Sequence, residues 1–192
     1  MSSFTRRAAA VLVLACAAGT AWSADAPRVR FNTSAGDIVV EVYPDRAPKT
    51  VENFLQYVRD KHYDGTIFHR VINNFMVQGG GMDKNMAEKK TRPPVPHEGV
   101  QAFEKGLKNE LGTLAMARTM DPNSATAQFY INVANNAFLD PKPGNPGYTV
   151  FGRVVGGMEV VNSIKGVQTG RTGMHADVPL TPVTINSAEI VK

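Results

Sequence analysis

Phe68-His69-Arg70-Val71-Ile72-Asn73-Asn74-Phe75-Met76-Val77-Gln78-Gly79-Gly80-Gly81 holds two short apolar runs hinged at an Asn-Asn pair, and it ends in three glycines. Asparagine side chains bond their own backbone in turns, so the pattern predicts strand, turn, strand and loop. An arginine, a glutamine and an adjacent Phe-Met pair sit within these runs, an odd mixture for a hairpin that only fills a core. One fixed cation beside an apolar surface makes Arg70 a candidate site residue. Alternation puts Met76 and Gln78 on one face and Phe75 on the other, unless the strand begins or bulges there.

On the N-terminal side, Val29 and Phe31 precede a turn at Ser34-Ala35-Gly36, after which Ile38, Val40 and Val42 recur with period two. This is a hairpin with one buried face. Pro48 opens a helix at the position where its missing N–H costs nothing, and Val51, Phe54, Leu55 and Val58 form one apolar stripe. On the C-terminal side, periodicity is lost from 82 to 112. Met82 to Lys90 allows a short helical turn, Thr91 to Pro96 must be extended, and a loop of this length is functional or mobile. Strands return at 113–117 and 128–133, with Phe129, Ile131 and Val133 on the expected core face. A turn-rich segment, 140–147, leads to a strand at 148–155; Met158 to Lys165 forms a short helix that stops at Gly166. Residues 166–178 read as a polar loop, and Val183, Ile185 and Ile190 belong to a last strand. About eight short strands and two helices without βαβ repetition predict a mainly β protein, an antiparallel barrel whose closure removes exposed edges.

The chain has 192 residues, 43% hydrophobic and 20% charged, which suits one domain with a sizeable core. Arg6-Arg7, the alanine-rich run from Ala8 to Ala18 and the small residues around Ala21-Trp22-Ser23-Ala24 have the layout of a secretory signal peptide cleaved after Ser23. The expected division is therefore a signal peptide over 1–23 and one domain over 24–192, located in the periplasm. The only cysteine, Cys16, lies in the leader, so the mature chain has no disulfide. Val13-Leu14-Ala15-Cys16 is loosely similar to a lipoprotein processing site, which keeps a lipid anchor at Cys16 as the lesser alternative. Without Arg6 and Arg7 the 21 basic residues become 19 against 17 acidic ones, a net charge of +2 rather than +4. That charge gives no support to nucleic-acid binding. The leader is too short for a permanent membrane span.

Five blocks carry a resemblance: FHRVINNFMVQGGG (68–81), GTLAMART (112–119), SATAQFYINV (124–133), FLD (138–140) and YTVFGRVVGGMEVV (148–161). In this order and spacing they resemble the cyclophilin-type peptidyl-prolyl cis-trans isomerases, and among these the exported bacterial members. The resemblance implies a closed eight-stranded antiparallel β-barrel capped by two α-helices, with the site on its outer wall. It further implies that Arg70 is catalytic, that Phe75, Met76, Tyr130 and Leu139 line a proline pocket, that Gln78 and Gln128 orient the peptide, and that the backbone of Ala115, Met116 and Ala117 pairs with it. Phe138 and Tyr148 match site positions where inhibitor-sensitive members have tryptophan and many have histidine, and Met116 is matched to a frequent asparagine. The implied partners are proline-containing polypeptides of folding exported proteins, handled by a monomer without a cofactor.

The chemistry agrees with the residues. An X–Pro bond is held by a rotation barrier of about 18–20 kcal/mol, and a donor aimed at the proline nitrogen stabilises the twisted amide more than the planar one. Arginine suits this because its donors form a rigid fork that stays charged. A peptide-binding chaperone using the same groove without turnover is the alternative, and it would not need Arg70. His62, His69, His97 and His175 lack metal-ligand spacing, and His69 reads as structural, pointed away from Arg70 by alternation. The glycine run opens no lysine-bearing helix, and no G-x-S-x-G elbow is present.

Overall fold

A computed structural model describes residues 26–191; the expected leader, with Cys16, lies outside them. Ten strands follow the order β1 (Arg28–Thr33), β2 (Gly36–Val42), β3 (Arg70–Ile72), β4 (Met76–Gly79), β5 (Thr113–Met116), β6 (Phe129–Asn132), β7 (Val150–Gly156), β8 (Thr169–Thr172), β9 (His175–Pro179) and β10 (Ile185–Val191). The helices are α1 (Pro48–Arg59), α2 (Gly99–Glu104) and α3 (Met158–Lys165).

Eight strands form one antiparallel sheet in the order β10-β1-β2-β7-β5-β6-β4-β3. Here the expectation of a closed barrel needs correction: the sheet curls, but its end strands β3 and β10 do not pair as strands. One bridge, Ile67↔Thr184, crosses the seam, flanked by the Phe68 N–H donating to the Val183 carbonyl and the Ile185 N–H to the Thr66 carbonyl. The segment before Arg70 provides this contact, so the seam is too short to count as an eighth ladder of the sheet.

The period-two residues fill the interior as expected. Phe31, Ile38, Val40, Val77, Leu114, Phe129, Ile131 and Phe151 are buried, and Phe31 stacks on Phe129 with ring centroids 5.2 Å apart. Helix α1 closes one end with Val51, Phe54, Leu55 and Val58, while α3 contributes Val161 and Ile164. Each large apolar side chain buried in this way is worth roughly 1.5–3 kcal/mol of transfer free energy.

Two stretches behave differently from their sequence patterns. Segment 82–112 contains α2 and is pinned: buried Glu98 accepts hydrogen bonds from the Lys49 and Thr50 N–H groups and the Thr50 hydroxyl, satisfying free donors at the start of α1. Lys89 Nζ donates to the His62 and Asp64 carbonyls, and the turn allowed at 82–90 is not a helix but a set of bends with a Met82↔Glu88 bridge. Residues 166–178 are not a loop either, since β8 and β9 form a separate two-stranded hairpin lying against β3. Its strands alternate no apolar face, so periodicity could not reveal them.

Candidate functional site

Arg70 begins β3 and faces Gln78 across the β3–β4 ladder; Gln78 in turn faces Tyr130 on β6. Directly opposed residues share a sheet face, so Arg70, Gln78 and Tyr130 form one row on the outer side while Val71, Val77 and Ile131 point inward. The face ambiguity of Phe75 resolves simply: β4 begins at Met76, and Phe75 belongs to the turn with Asn73 and Asn74, the latter at φ 61°. The turn lets Phe75 and Met76 converge on one cavity.

That cavity has a volume of about 470 Å³. Arg70, Phe75, Met76, Gln78, Ala117, Gln128, Tyr130, Leu139 and Tyr148 all line it, so nine of the expected residues come together from three strands, β3, β4 and β6, and the connections between strands. Three do not. Ala115 and Met116 are buried in β5, where their backbone is committed to β6, β7 and the Thr149 carbonyl. Only Ala117 reaches the groove, and its N–H already donates to the Gln128 carbonyl. Phe138 stands outside, 60% exposed, with its ring stacked on Phe75 at 5.6 Å.

Gln78 Nε2 donates to Gln128 Oε1 at 3.0 Å, joining two walls. The Tyr130 hydroxyl donates to Asn109 Oδ1 at 2.9 Å, and burial pushes its pKa well above the usual phenol value. Asn109 is itself held by Asp140 Oδ1, and Asn136 Nδ2 donates to the Phe75 carbonyl and to Asn132 Oδ1. A buried amide network therefore fixes the floor, the Phe75 turn and the Leu139 loop relative to one another. Sequence pattern missed it because Asn132 alternates with the core residues of β6 and Asn136 lies in the connection after it, so neither follows the apolar period.

Other groups enter unannounced. The β8–β9 hairpin supplies Met174 from its turn and His175, Ala176 and Asp177 from β9. Asp177 Oδ2 lies 4.0 Å from Arg70 Nε, each side chain 43% exposed. Arg118 arrives from the loop after β5, two residues beyond Met116, and it rather than Met116 is the side chain that this segment gives the groove. His69 also lines the cavity, against the alternation argument, because β3 starts only at Arg70. It is buried with Nδ1 unpartnered; burial first, then the neighbouring His175 and Arg70, lower its pKa to about 4 despite a backbone bond to Ile67. The neutral imidazole is therefore its state near neutral pH.

Among the described residues no group of three His, Cys, Asp or Glu side chains is placed to hold a metal ion, and no helix is long and apolar enough to cross a membrane. The site offers apolar walls from Phe75, Met76 and Leu139, two guanidinium groups from Arg70 and Arg118, and the amides of Gln78 and Gln128.

A family model described as "Cyclophilin type peptidyl-prolyl cis-trans isomerase/CLD" matches residues 28–190. A peptidyl-prolyl cis-trans isomerase of Streptomyces antibioticus is 57% identical over 166 residues, covering 85% of this chain and 98% of that protein. Peptidyl-prolyl cis-trans isomerase B of Escherichia coli is 53% identical over 165 residues, covering 84% and 98%. A cyclophilin-type isomerase of Cryptosporidium parvum, crystallised in the presence of the dipeptide Ala-Pro, superposes with a TM-score of 0.65 at 25% identity over 86% of this chain and 99% of that one. With the match spanning the curled sheet, the hairpin and the cavity that Arg70 borders, the chain belongs to the cyclophilin-type peptidyl-prolyl cis-trans isomerases.

Proposed function

We propose that this isomerase binds an X–Pro segment across the groove with the proline ring against Phe75, Met76, Tyr130 and Leu139, and that Arg70 is its catalytic residue. The observation that carries the reading is the position of the Arg70 guanidinium in a cavity of about 470 Å³ whose walls include the apolar side chains of Phe75, Met76 and Leu139 and the ring of Tyr130. As the amide twists, the proline nitrogen regains its lone pair, and a donor from Arg70 stabilises that state selectively. Gln78 and Gln128, tied to each other, hold the peptide backbone while the preceding carbonyl swings. Phe138 backs the Phe75 ring, and Tyr148 shapes the pocket by standing edge-on to Tyr130 at 5.9 Å. No bond is broken, so neither a nucleophile nor a proton acceptor is required.

The substrates are proline-containing segments of exported proteins, met by a monomer in the periplasm after removal of residues 1–23. Arg6-Arg7, the alanine run and the small residues before Ala24 support this. Intact mass of protein recovered from the cell envelope checks it: a chain beginning at Ala24 is expected, whereas a lipidated Cys16 means a tethered enzyme.

Isomerisation of a proline peptide by the wild type beside Arg70→Ala tests the mechanism. A loss of roughly a hundredfold in kcat/KM is expected, as for removal of other preorganised transition-state donors. Full turnover in the variant removes Arg70 from the chemistry. Peptide binding in the wild type without turnover turns the groove into a chaperone surface.

A further inference from the structure

The groove holds two guanidinium groups in different electrostatic settings. Arg70 has a counter-charge, Asp177, at 4.0 Å. Arg118 has none: among the described residues no carboxylate oxygen lies within 4.0 Å of its nitrogens. On the neighbouring loops Asp121 accepts from the Asn123 N–H and Asp140 from the Asn109 N–H, and neither pairs with Arg118.

Arg118 is nevertheless held in place. Nε and Nη2 donate to the Gly147 carbonyl at 3.2 and 2.8 Å, and Nη1 donates to the Thr119 carbonyl at 2.8 Å. Its guanidinium carbon sits 4.4 Å from the centroid of the Tyr148 ring. Gly147 has φ 69°, and a Cβ there would come within 2.5 Å of Pro141 N and 2.7 Å of the Leu139 carbonyl oxygen. Only glycine lets the chain turn tightly enough to present that carbonyl. A guanidinium has five N–H donors, of which three are used, leaving two for a ligand in the cavity that Arg118 lines. Carbonyls and an aromatic face fix its orientation without neutralising its charge, so the entropy of ordering a long side chain is already spent before substrate arrives.

A rigid, uncompensated cation with free forked donors matches a carboxylate. Tyr148 carries the cation on its face and stands edge-on to Tyr130 of the proline pocket, so the charge lies one aromatic ring from the expected proline. Resting on the isomerase reading of that pocket, we propose that Arg118 is a specificity-determining residue whose side chain forms a subsite for an acidic residue close in sequence to the substrate proline.

The test uses exchange NMR, which needs no coupling protease, to measure isomerisation of X–Pro peptides carrying Glu, Gln or Lys in turn at each of three positions before and after the proline. At one position or more the wild type is expected to favour Glu over Gln by at least about threefold in kcat/KM, with Lys poorest. That preference shrinks as salt rises from 0.02 to about 0.5 M, because the ion pair is screened. In Arg118→Gln the Glu-to-Gln ratio falls to about one, while Arg118→Lys, keeping the charge but losing the fork, retains part of it. A wild-type ratio of one at every position overturns the subsite, and this needs no variant to fold. So does an unchanged ratio in Arg118→Gln. Absence of turnover with every peptide in the wild type is a different failure, that of the isomerase reading.

Discussion

Arg70 and Arg118 show how little residue type says about role until partners are known. Both are arginines in a peptide groove, yet one faces a carboxylate and the other only carbonyls and a ring. For Arg70 the fork geometry is the argument, so Arg70→Lys tests it: charge stays, the planar donors go, and kcat/KM is expected to fall at least tenfold, about 1.4 kcal/mol, with Tm nearly unchanged. Full activity in the lysine variant means that charge alone suffices. His69 gives the pH behaviour. The imidazole, lowered to about 4 by burial, is neutral above roughly pH 5, and a guanidinium keeps its charge at any usable pH, so kcat/KM measured from pH 6 to 9 is expected to be flat. A bell-shaped profile with circular dichroism unchanged brings a titrating group into the reaction. Stability responds at lower pH. Because the folded pKa lies below the unfolded value of 6.5, the unfolded chain binds the extra proton between pH 6.5 and 4. His69 stabilisation is therefore complete above 6.5 and is lost as pH falls toward 4, by about 3 kcal/mol. His62, also lowered chiefly by burial, adds in the same direction. Urea titrations across that range, wild type beside His69→Phe, are expected to show a shallower loss in the variant.

Between the residue and the molecule stand two elements whose parts make sense only together. The β8–β9 hairpin buries little of itself, with Met174 93% exposed, yet its second strand brings Asp177 to Arg70 from more than a hundred positions along the chain. Asp177 has φ 60° within β9, a region asparagine also tolerates, so Asp177→Asn removes the charge without straining the backbone. A half-exposed pair is worth no more than about 1 kcal/mol, so kcat/KM is expected to drop by about twofold to fivefold with little change in Tm. A loss as large as in Arg70→Ala would instead make Asp177 a second essential group. The glycine run after β4 is the other element. A Cβ on Gly81 would fall 2.4–2.6 Å from three side-chain atoms of Gln128, so the absence of a side chain there lets Gln128 reach Gln78. Gly81→Ala is expected to swing Gln128 away and lower kcat/KM by about threefold to thirtyfold, since displacements of an ångström near a reacting group carry large rate penalties. Unaltered kinetics in a folded variant would mean that the Gln78–Gln128 bond does not position the peptide.

At the scale of the whole molecule, the first and last strands of the described residues are structural partners: Arg28 pairs with Val191 and Phe31 with Ala188, so β1 is covered only when the last strand is in place. Deleting residues 185–192 exposes β1 as an edge and removes Ile185 and Ala188 from the core. The truncated protein is expected to show no cooperative unfolding transition by circular dichroism. A sharp transition in it would mean that the curled sheet is stable with β1 unpaired. Such dependence on distant pairing explains how the reading of the chain divides. Alternation in β1, β2 and β6 and the stripe of α1 were legible because core burial has the same period as the backbone that creates it. Five blocks in one order identified the family and most of the pocket, Arg70, Gln78 and Tyr130 included. The sequence also determined where hairpins turn, since Asn73-Asn74 and the glycines impose local backbone shapes. Only the tertiary structure decided the rest. Whether the sheet closes depends on the one-bridge seam at Ile67↔Thr184, a matter of curvature summed over eight strands. That Ala115 and Met116 are buried while Arg118 is presented follows from where β5 stops being sandwiched between β6 and β7. Asp177 meets Arg70, and Asn109 meets Tyr130, through side chains far apart in sequence that no period links; polar contacts of this kind leave no repeating trace, because each is made once, by geometry, after the hydrophobic pattern has folded the chain.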